Sequence, residues 1–189
     1  ATVREDLKQG NKERGYQLTD FDKNKKVLLV MGGSLGSKKL NNIIRQNIEE
    51  LLHDIQIIHL TGKGLVDDSI NKKGYVQFEF VKDDLTDLLA ITDTVVSRAG
   101  SNAIYEFLSL RIPMLLIPLG LDQSRGDQID NAKNFESKGY GRHIPEDQLT
   151  EVNLLQELND IELHRESIIK QMETYQESYT KEDLFDKII

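Results

Sequence analysis

The 189 residues, 38% apolar and 30% charged, suffice for one full-sized domain and fall short of two. A formal net charge of −8 disfavours non-specific binding to nucleic acid, and the lack of any cysteine excludes a disulfide scaffold and a thiolate metal site. No apolar run approaches the ~20 residues of a membrane span, so any membrane role is expected to be peripheral.

The chain opens with ATVREDLKQGNKERGYQLTDFDKNKK, which is polar, highly charged and without a long period. With no Met ahead of it, the segment over residues 1–25 is expected to be a linker or boundary within a longer protein. Val27–Met31 is a short, fully apolar run of strand length, as expected for a strand covered on both faces. From Ser37 to Leu52 the apolar residues Leu40, Ile43, Ile44, Ile48, Leu51 and Leu52 fall at helical spacing, which predicts one helix. DIQIIHL (Asp54–Leu60) and YVQFEF (Tyr75–Phe80) are the next strands, and LTDLLAI a short helix. TVVS (Thr94–Ser97) is a fourth strand, followed by a helix over Asn102–Leu110 and by MLLIP (Met114–Pro118), a fifth strand closed by proline. Asp127–Ser137 is predicted helical and YGRHI (Tyr140–Ile144) a weak sixth strand. In the tail, Leu154, Leu158 and Ile161, then Ile168, Met172, Tyr175 and Tyr179, lie near one helical face.

Strands separated by helices with short connections imply right-handed crossovers and a mostly parallel sheet with helices on both faces. The expected fold is a doubly wound α/β, Rossmann-like domain over 26–150. Helices over 151–189 are expected to extend it, packing on that domain or on another one. In such sheets a ligand sits outside the carboxyl ends of the strands, where the strand order reverses. Four loops qualify: Gly32–Ser37, Phe80–Asp84, Arg98–Glu106 and Pro118–Asn131.

The first loop, GGSLGS, runs from a strand into a helix with almost no side chain. It is not a Walker A loop, because five residues on from Gly32 stands Ser37, with Leu40 beyond Lys38-Lys39. It is not a dinucleotide fingerprint either. Met31 stands where the first glycine should be, and His59-Leu60-Thr61 where the acidic ribose partner should end the second strand. What remains is G-x-x-G, Gly33 to Gly36, opening a helix. Such a loop offers N–H groups and the positive end of a dipole to an oxyanion, or is a tight turn that binds nothing. The second loop, SRAGSNAIYE, repeats the design, with Ser101 or Asn102 expected as the N-cap. Glu106 lies a turn further on, where a carboxylate can accept both hydroxyls of a ribose or can simply be solvated. Arg98 is either a phosphate contact or half of a buried ion pair. In the third, PLGLDQSRGDQIDNAKNF, Gln128 and Asn131 stand a turn apart; neutral amides that donate and accept suit sugar hydroxyls. Taken in order, the three loops describe a nucleotide-sugar site. The four histidines, His53, His59, His143 and His164, are scattered and expected to be structural or solvent-exposed.

GGSLGS, SRAGSNAIYE and DQIDNA, in this order and spacing, resemble the C-terminal half of the MurG family, and more distantly GT-B glycosyltransferases in general. The likeness runs from about Val3-Arg4 to Gly141. It implies a UDP-N-acetylglucosamine-binding half of a peptidoglycan-forming transferase. The lipid-linked muramyl-pentapeptide acceptor, the catalytic base and the membrane-docking surface would belong to an N-terminal domain outside these residues. That places the whole enzyme peripherally at the cytoplasmic face of the membrane, with no metal or other cofactor. The resemblance also implies roles: Arg4 reaching the donor, Gly33 and Ser34 facing the diphosphate, and a main-chain group at Val81 reading the uracil edge. Ser101 and Asn102 would cap a helix aimed at phosphate, Glu106 would hold the ribose, and Gln128 and Asn131 the sugar. Leu35 and Ala103 depart from the polar residues frequent at their positions. The alternatives are another UDP-sugar enzyme of similar fold, such as an epimerase or a different glycosyltransferase, and a stand-alone nucleotide-binding module.

Overall fold

The structure, a computed structural model, describes residues 9–33, 36–120 and 126–186, with residue 101 and residues 176–186 described by their backbone alone. Six strands form one sheet: β1 (Lys26–Met31), β2 (Ile55–Leu60), β3 (Tyr75–Phe78), β4 (Thr94–Ser97), β5 (Met114–Leu116) and β6 (Gly141–His143). Their order is β3-β2-β1-β4-β5-β6 and every neighbouring pair is parallel. The chain winds outward from β1 to β3, then returns to place β4 beside β1. The β1/β4 boundary is therefore where the order reverses. The central strands are mostly apolar because both faces are covered: Leu28, Leu29 and Val30, Ile57 and Ile58, and Val95 and Val96 are all buried.

The helices are α1 (Lys12–Thr19), α2 (Lys38–Gln46), α3 (Ile48–Asp54), α4 (Leu85–Ala90), α5 (Ser101–Ser109), α6 (Asp127–Ser137), α7 (Glu151–Leu163) and α8 (Arg165–Asp186). Three features differ from expectation. The opening segment contains α1, which is N-capped by Asn11 and docked on α4. Glycine lets the backbone close on α4: a Cβ on Gly10, just ahead of α1, would stand 2.2 Å from the Thr86 carbonyl oxygen, and one on Gly15 2.5 Å from that of Asp87, while Tyr16 and Leu18 are only partly buried against the core. Asn11 N–H also donates to Asp87 Oδ1 at 2.8 Å, and Arg14 pairs with Asp84 at 3.3 Å. The helix expected over 37–52 is two helices, α2 and α3. Asn47 turns its side chain back to the Ile43 carbonyl (2.8 Å), a local bond that competes with the helical ladder and breaks it. Finally, β3 ends at Phe78 rather than Phe80, although Gly62 N–H still donates to Glu79 O at 2.9 Å.

The C-terminal helices, as far as they are described, pack on the domain itself. A reciprocal cap between Thr150 and Asn153 opens α7, which buries Leu154 and Ile161 and covers β5 and β6. The following helix, α8, buries Ile168 and Met172 and leans on α5. Tyr105, Phe135, Tyr140 and Tyr175, with successive ring centroids 5.5 to 6.3 Å apart, join α5, α6, the approach to β6, and α8. The side chain of Tyr179 lies outside the described residues.

Candidate functional site

Register puts the two glycine loops side by side. Met31, the last residue of β1, pairs with Ser97, the last of β4, so both loops leave the sheet at one level across the reversal point. After β1 the chain passes Gly32 and Gly33 and closes a turn in which Gly36 N–H donates to Gly33 O at 3.0 Å. Gly36 has φ +74, and a Cβ there would stand 2.2 Å from Thr61 O, so only glycine fits. Ser37 then caps α2, its Oγ accepting from Leu40 N–H at 3.2 Å. Gly33, with φ +87, faces the other way: a Cβ there would meet nothing within 4 Å.

The second loop ends in a different cap from the one expected. Gly100, not Ser101 or Asn102, is the N-cap of α5, in an extended conformation (φ −71, ψ 132) and with no side-chain capping bond. Glycine can supply no capping oxygen, so the cap residue leaves the first-turn N–H groups of α5 to other acceptors. A Cβ on Gly100 would also meet open space. Gly33 and Gly100 thus present bare backbone on the same end of the sheet, each ahead of a helix N-terminus. Asn102 is exposed, and Glu106, half-buried, follows four residues later on the same helical face. Side-chain detail for Ser101 lies outside the described residues, as do Arg4 and Ser34 altogether.

The two α6 amides hold the loops that surround them. Asn131 Nδ2 donates to Ala99 O at 3.3 Å, and Gln128 Oε1 accepts from Leu119 N–H at 3.0 Å. Each amide therefore has one end committed to a candidate loop, which fixes its plane. Val81 lies beyond β3, half-buried against the core, next to Phe80, which is 61% exposed. Since neighbouring strands are ~4.8 Å apart, the exits of β3 and β1 stand about 10 Å apart along the sheet edge.

Arg98 proves to be half of an ion pair. Its Nη1 donates to Glu146 Oε2 at 2.6 Å, with 12% and 17% of the two side chains exposed. Ser37 Oγ donates to the other oxygen, Oε1, at 3.1 Å, and Lys39 Nζ to the Glu146 carbonyl at 2.6 Å. Burial opposes ionisation of Glu146, but Arg98, Ser37 and Lys39 together hold its carboxyl below the usual carboxylate range. Sequence reading missed Glu146 because it stands 109 residues from Ser37 and 48 from Arg98, in a 3-10 turn (Glu146–Gln148) that reads as ordinary surface.

Beneath the first loop runs a buried polar chain. Tyr75 Oη donates to His59 Nδ1 (2.7 Å), His59 Nε2 donates to Asn41 Oδ1 (2.8 Å), and Asn41 Nδ2 donates to Thr61 O (2.8 Å). This chain settles the imidazole as a neutral Nε2–H tautomer, and burial, followed by the nearby Arg45 cation, pushes its pKa down to about 3. His59 is structural, as expected; it supports the carbonyl that Gly36 packs against. His53 and His164 lie at the surface beside Asp54 and Asp160, and His143 pairs with Glu136. Among the described residues no group of three or more His, Cys, Asp or Glu side chains could hold a metal ion.

A cleft of about 500 Å³ lies at the opposite end of the sheet, lined by Val27, Leu28, Ile55, Thr94, Leu155 and Leu158 among others. Two of its cations are already engaged: Lys26 pairs with Glu162 at 3.0 Å, and Arg165 pairs with Glu162 at 2.9 Å and donates to the Asp93 carbonyl at 2.6 Å. It is a seam between the sheet and the C-terminal helices.

Comparison with known proteins identifies the family and the fold. Residues 27–188 match the Glycosyltransferase family 28 C-terminal domain. Over its whole length the chain is 99% identical to a Staphylococcus epidermidis protein named UDP-N-acetylglucosamine–N-acetylmuramyl-(pentapeptide) pyrophosphoryl-undecaprenol N-acetylglucosamine transferase. It is 81% identical to the Staphylococcus haemolyticus protein of the same name. In both cases it spans 53% of the relative's length. Among solved structures, the Acinetobacter baumannii MurG superposes with a TM-score of 0.63 at 21% identity, over 84% of this chain and 47% of that one. The glycotransferase of kitacinnamycin gives 0.66 at 20% identity, over 81% of this chain and 38% of that one. At these identities the structural likeness is one of fold. The chain belongs to glycosyltransferase family 28, as its C-terminal domain.

Proposed function

We propose that this chain is the donor-binding half of an N-acetylglucosaminyltransferase: it holds UDP-N-acetylglucosamine while an N-terminal domain presents the lipid-linked muramyl-pentapeptide. The supporting observation is the pair of bare glycine backbones, Gly33 and Gly100, that leave the sheet from paired residues and face open space ahead of two helix starts. A diphosphate seated there meets N–H groups and the positive ends of α2 and α5. The base then lies toward Val81, the ribose at Glu106, and the sugar toward Gln128 and Asn131. The sugar and the acceptor are those in the names of the staphylococcal relatives. Membership of a glycosyltransferase family favours transfer over epimerisation.

In the reaction, an acceptor hydroxyl attacks the anomeric carbon as the bond to the diphosphate breaks. Negative charge grows on the leaving diphosphate. Fixed backbone dipoles aimed at it stabilise that charge without having to reorganise as it forms. The base that takes the hydroxyl proton belongs to the N-terminal domain, which also docks on the cytoplasmic face of the membrane where the acceptor lies. Among the described residues no helix is long and apolar enough to cross a membrane. The segment over 1–25 would connect the two domains, with α1 anchoring it on α4 and Arg4 reaching back to the donor.

The test is thermal denaturation with added ligand. UDP and UDP-N-acetylglucosamine are expected to raise Tm, since anything that binds only the folded state stabilises it, whereas NAD leaves Tm unchanged. A rise with NAD and none with UDP ends this reading.

A further inference from the structure

Glu146 touches three of the loops that form the site yet belongs to none of them. Its Oε1 accepts from Ser37, the cap of α2, and its Oε2 from Arg98, two residues before the cap of α5. Its N–H donates to Pro118 O at 3.0 Å, and its carbonyl accepts from Lys39 in the first turn of α2. Arg98 completes the span, since Nη1 also reaches Ile117 O at 3.4 Å. A serine hydroxyl has a single proton. By giving it to Glu146, Ser37 keeps its lone pairs toward Leu40 N–H, so the carboxylate also orients the α2 cap.

We propose that Glu146 is a positioning residue for the diphosphate: its carboxylate clamps the α2 cap to the loop before α5 and so sets the separation of the two helix starts. This rests on the donor-site reading above. The opposing idea is that Glu146 only masks Arg98, a cation that would otherwise meet phosphate. The two ideas predict opposite signs. Removing a mask frees a cation and takes away a nearby negative charge, so anion affinity rises. Removing a clamp lets the helix starts drift, so anion affinity falls although the repelling charge has gone.

Glu146→Gln keeps the length of the side chain and loses its charge. Glu146→Asp keeps the charge and loses the reach needed to span Ser37 and Arg98. In the full protein that carries this chain, UDP and uridine are titrated by calorimetry and NMR. Amide hydrogen exchange is followed without ligand at Leu40 and Ile104, whose N–H groups bond to Ser37 Oγ and Gly100 O at the starts of α2 and α5. The clamp predicts that both variants bind UDP about tenfold more weakly, the equivalent of one charge-assisted hydrogen bond. Uridine binding, which needs only one side of the cleft, stays within twofold, and exchange quickens at the two helix starts but not in β1 or β4. Tighter UDP binding by Glu146→Gln overturns the clamp in favour of the mask. Unchanged affinity, or equal losses for UDP and uridine, overturns it too. If the parent protein binds neither ligand, the donor-site reading fails and takes the clamp's role with it; that outcome is seen in the parent alone, before any variant is compared.

Discussion

Glu106 and His59 carry the two predictions that belong to single residues. Glu106 follows Asn102 by one turn on the same face of α5, where its carboxylate can accept from two vicinal hydroxyls. Glu106→Ala is expected to weaken UDP by about tenfold or more, as for loss of a charge-assisted hydrogen bond, and to weaken 2′-deoxy-UDP clearly less. Competition titrations check this, and equal losses for the two nucleotides remove Glu106 from the ribose. His59 makes stability depend on pH. Its folded pKa of about 3 lies below the ~6.5 of an unfolded histidine, so the unfolded chain binds the extra proton first. Stability is then complete above pH 6.5 and falls by about 1.4 kcal/mol per unit as pH drops toward 3. Glu146 and Glu162, whose carboxyls are held low by Arg98 and by Lys26 and Arg165, lose their contributions only as pH falls through their own folded pKa values, below that upper range. Urea denaturation at pH 7.5 and pH 5 should show a loss of about 2 kcal/mol in the parent and a flattened profile in His59→Gln. An equally steep profile in the variant assigns the proton to another group.

At the scale of elements, the two glycine loops differ in a way that substitution can separate. Gly36 has a positive φ and no room for a Cβ, so Gly36→Ala should destabilise the fold by about 1–3 kcal/mol whether or not ligand is present. Gly100 has an ordinary φ and open space, so Gly100→Ala should change stability by no more than about 1 kcal/mol. A methyl group there nevertheless obstructs close approach of an oxyanion to the α5 amides, and UDP affinity should drop severalfold. Denaturation and titration of the two variants give the test, and an unchanged UDP affinity in Gly100→Ala would move the ligand away from α5. Sequence reading located both loops because glycine between an apolar run and a helical period is a local signal. It also found all six strands: β1, β2, β4 and β5 are largely buried and mostly apolar, whereas β6, Gly141-Arg142-His143, gave only a weak signal. It missed α1, a short helix that comes closest to α4 at Gly15 and carries only two partly buried apolar residues, Tyr16 and Leu18. It joined α2 to α3, because Asn47 interrupts the ladder without interrupting the apolar spacing. The cap of α5 fell on Gly100 rather than on the better-capping Ser101 or Asn102. Capping preference gave way to a backbone left bare at the cleft. Glu146 and the His59–Asn41–Thr61 chain were illegible for one reason: their partners are 18 to 109 residues away and only the fold brings them together.

For the whole molecule, the chain spans 53% of its staphylococcal relatives, and the four candidate loops all open from one end of the sheet. The opposite end carries the seam beneath α7, braced by pairs such as Lys26–Glu162, and none of the candidate loops reaches it. On this account the domain supplies binding and charge stabilisation, and turnover needs its partner. Whether α2 and α5 start on a single bound diphosphate can be read by titrating UDP against the backbone amide resonances. Gly33, Gly100 and Asn102 are expected to shift together along one saturation curve with one Kd, while amides lining the seam beneath α7 stay still. Movement confined to one loop, or two loops saturating at different concentrations, would contradict a single bound diphosphate.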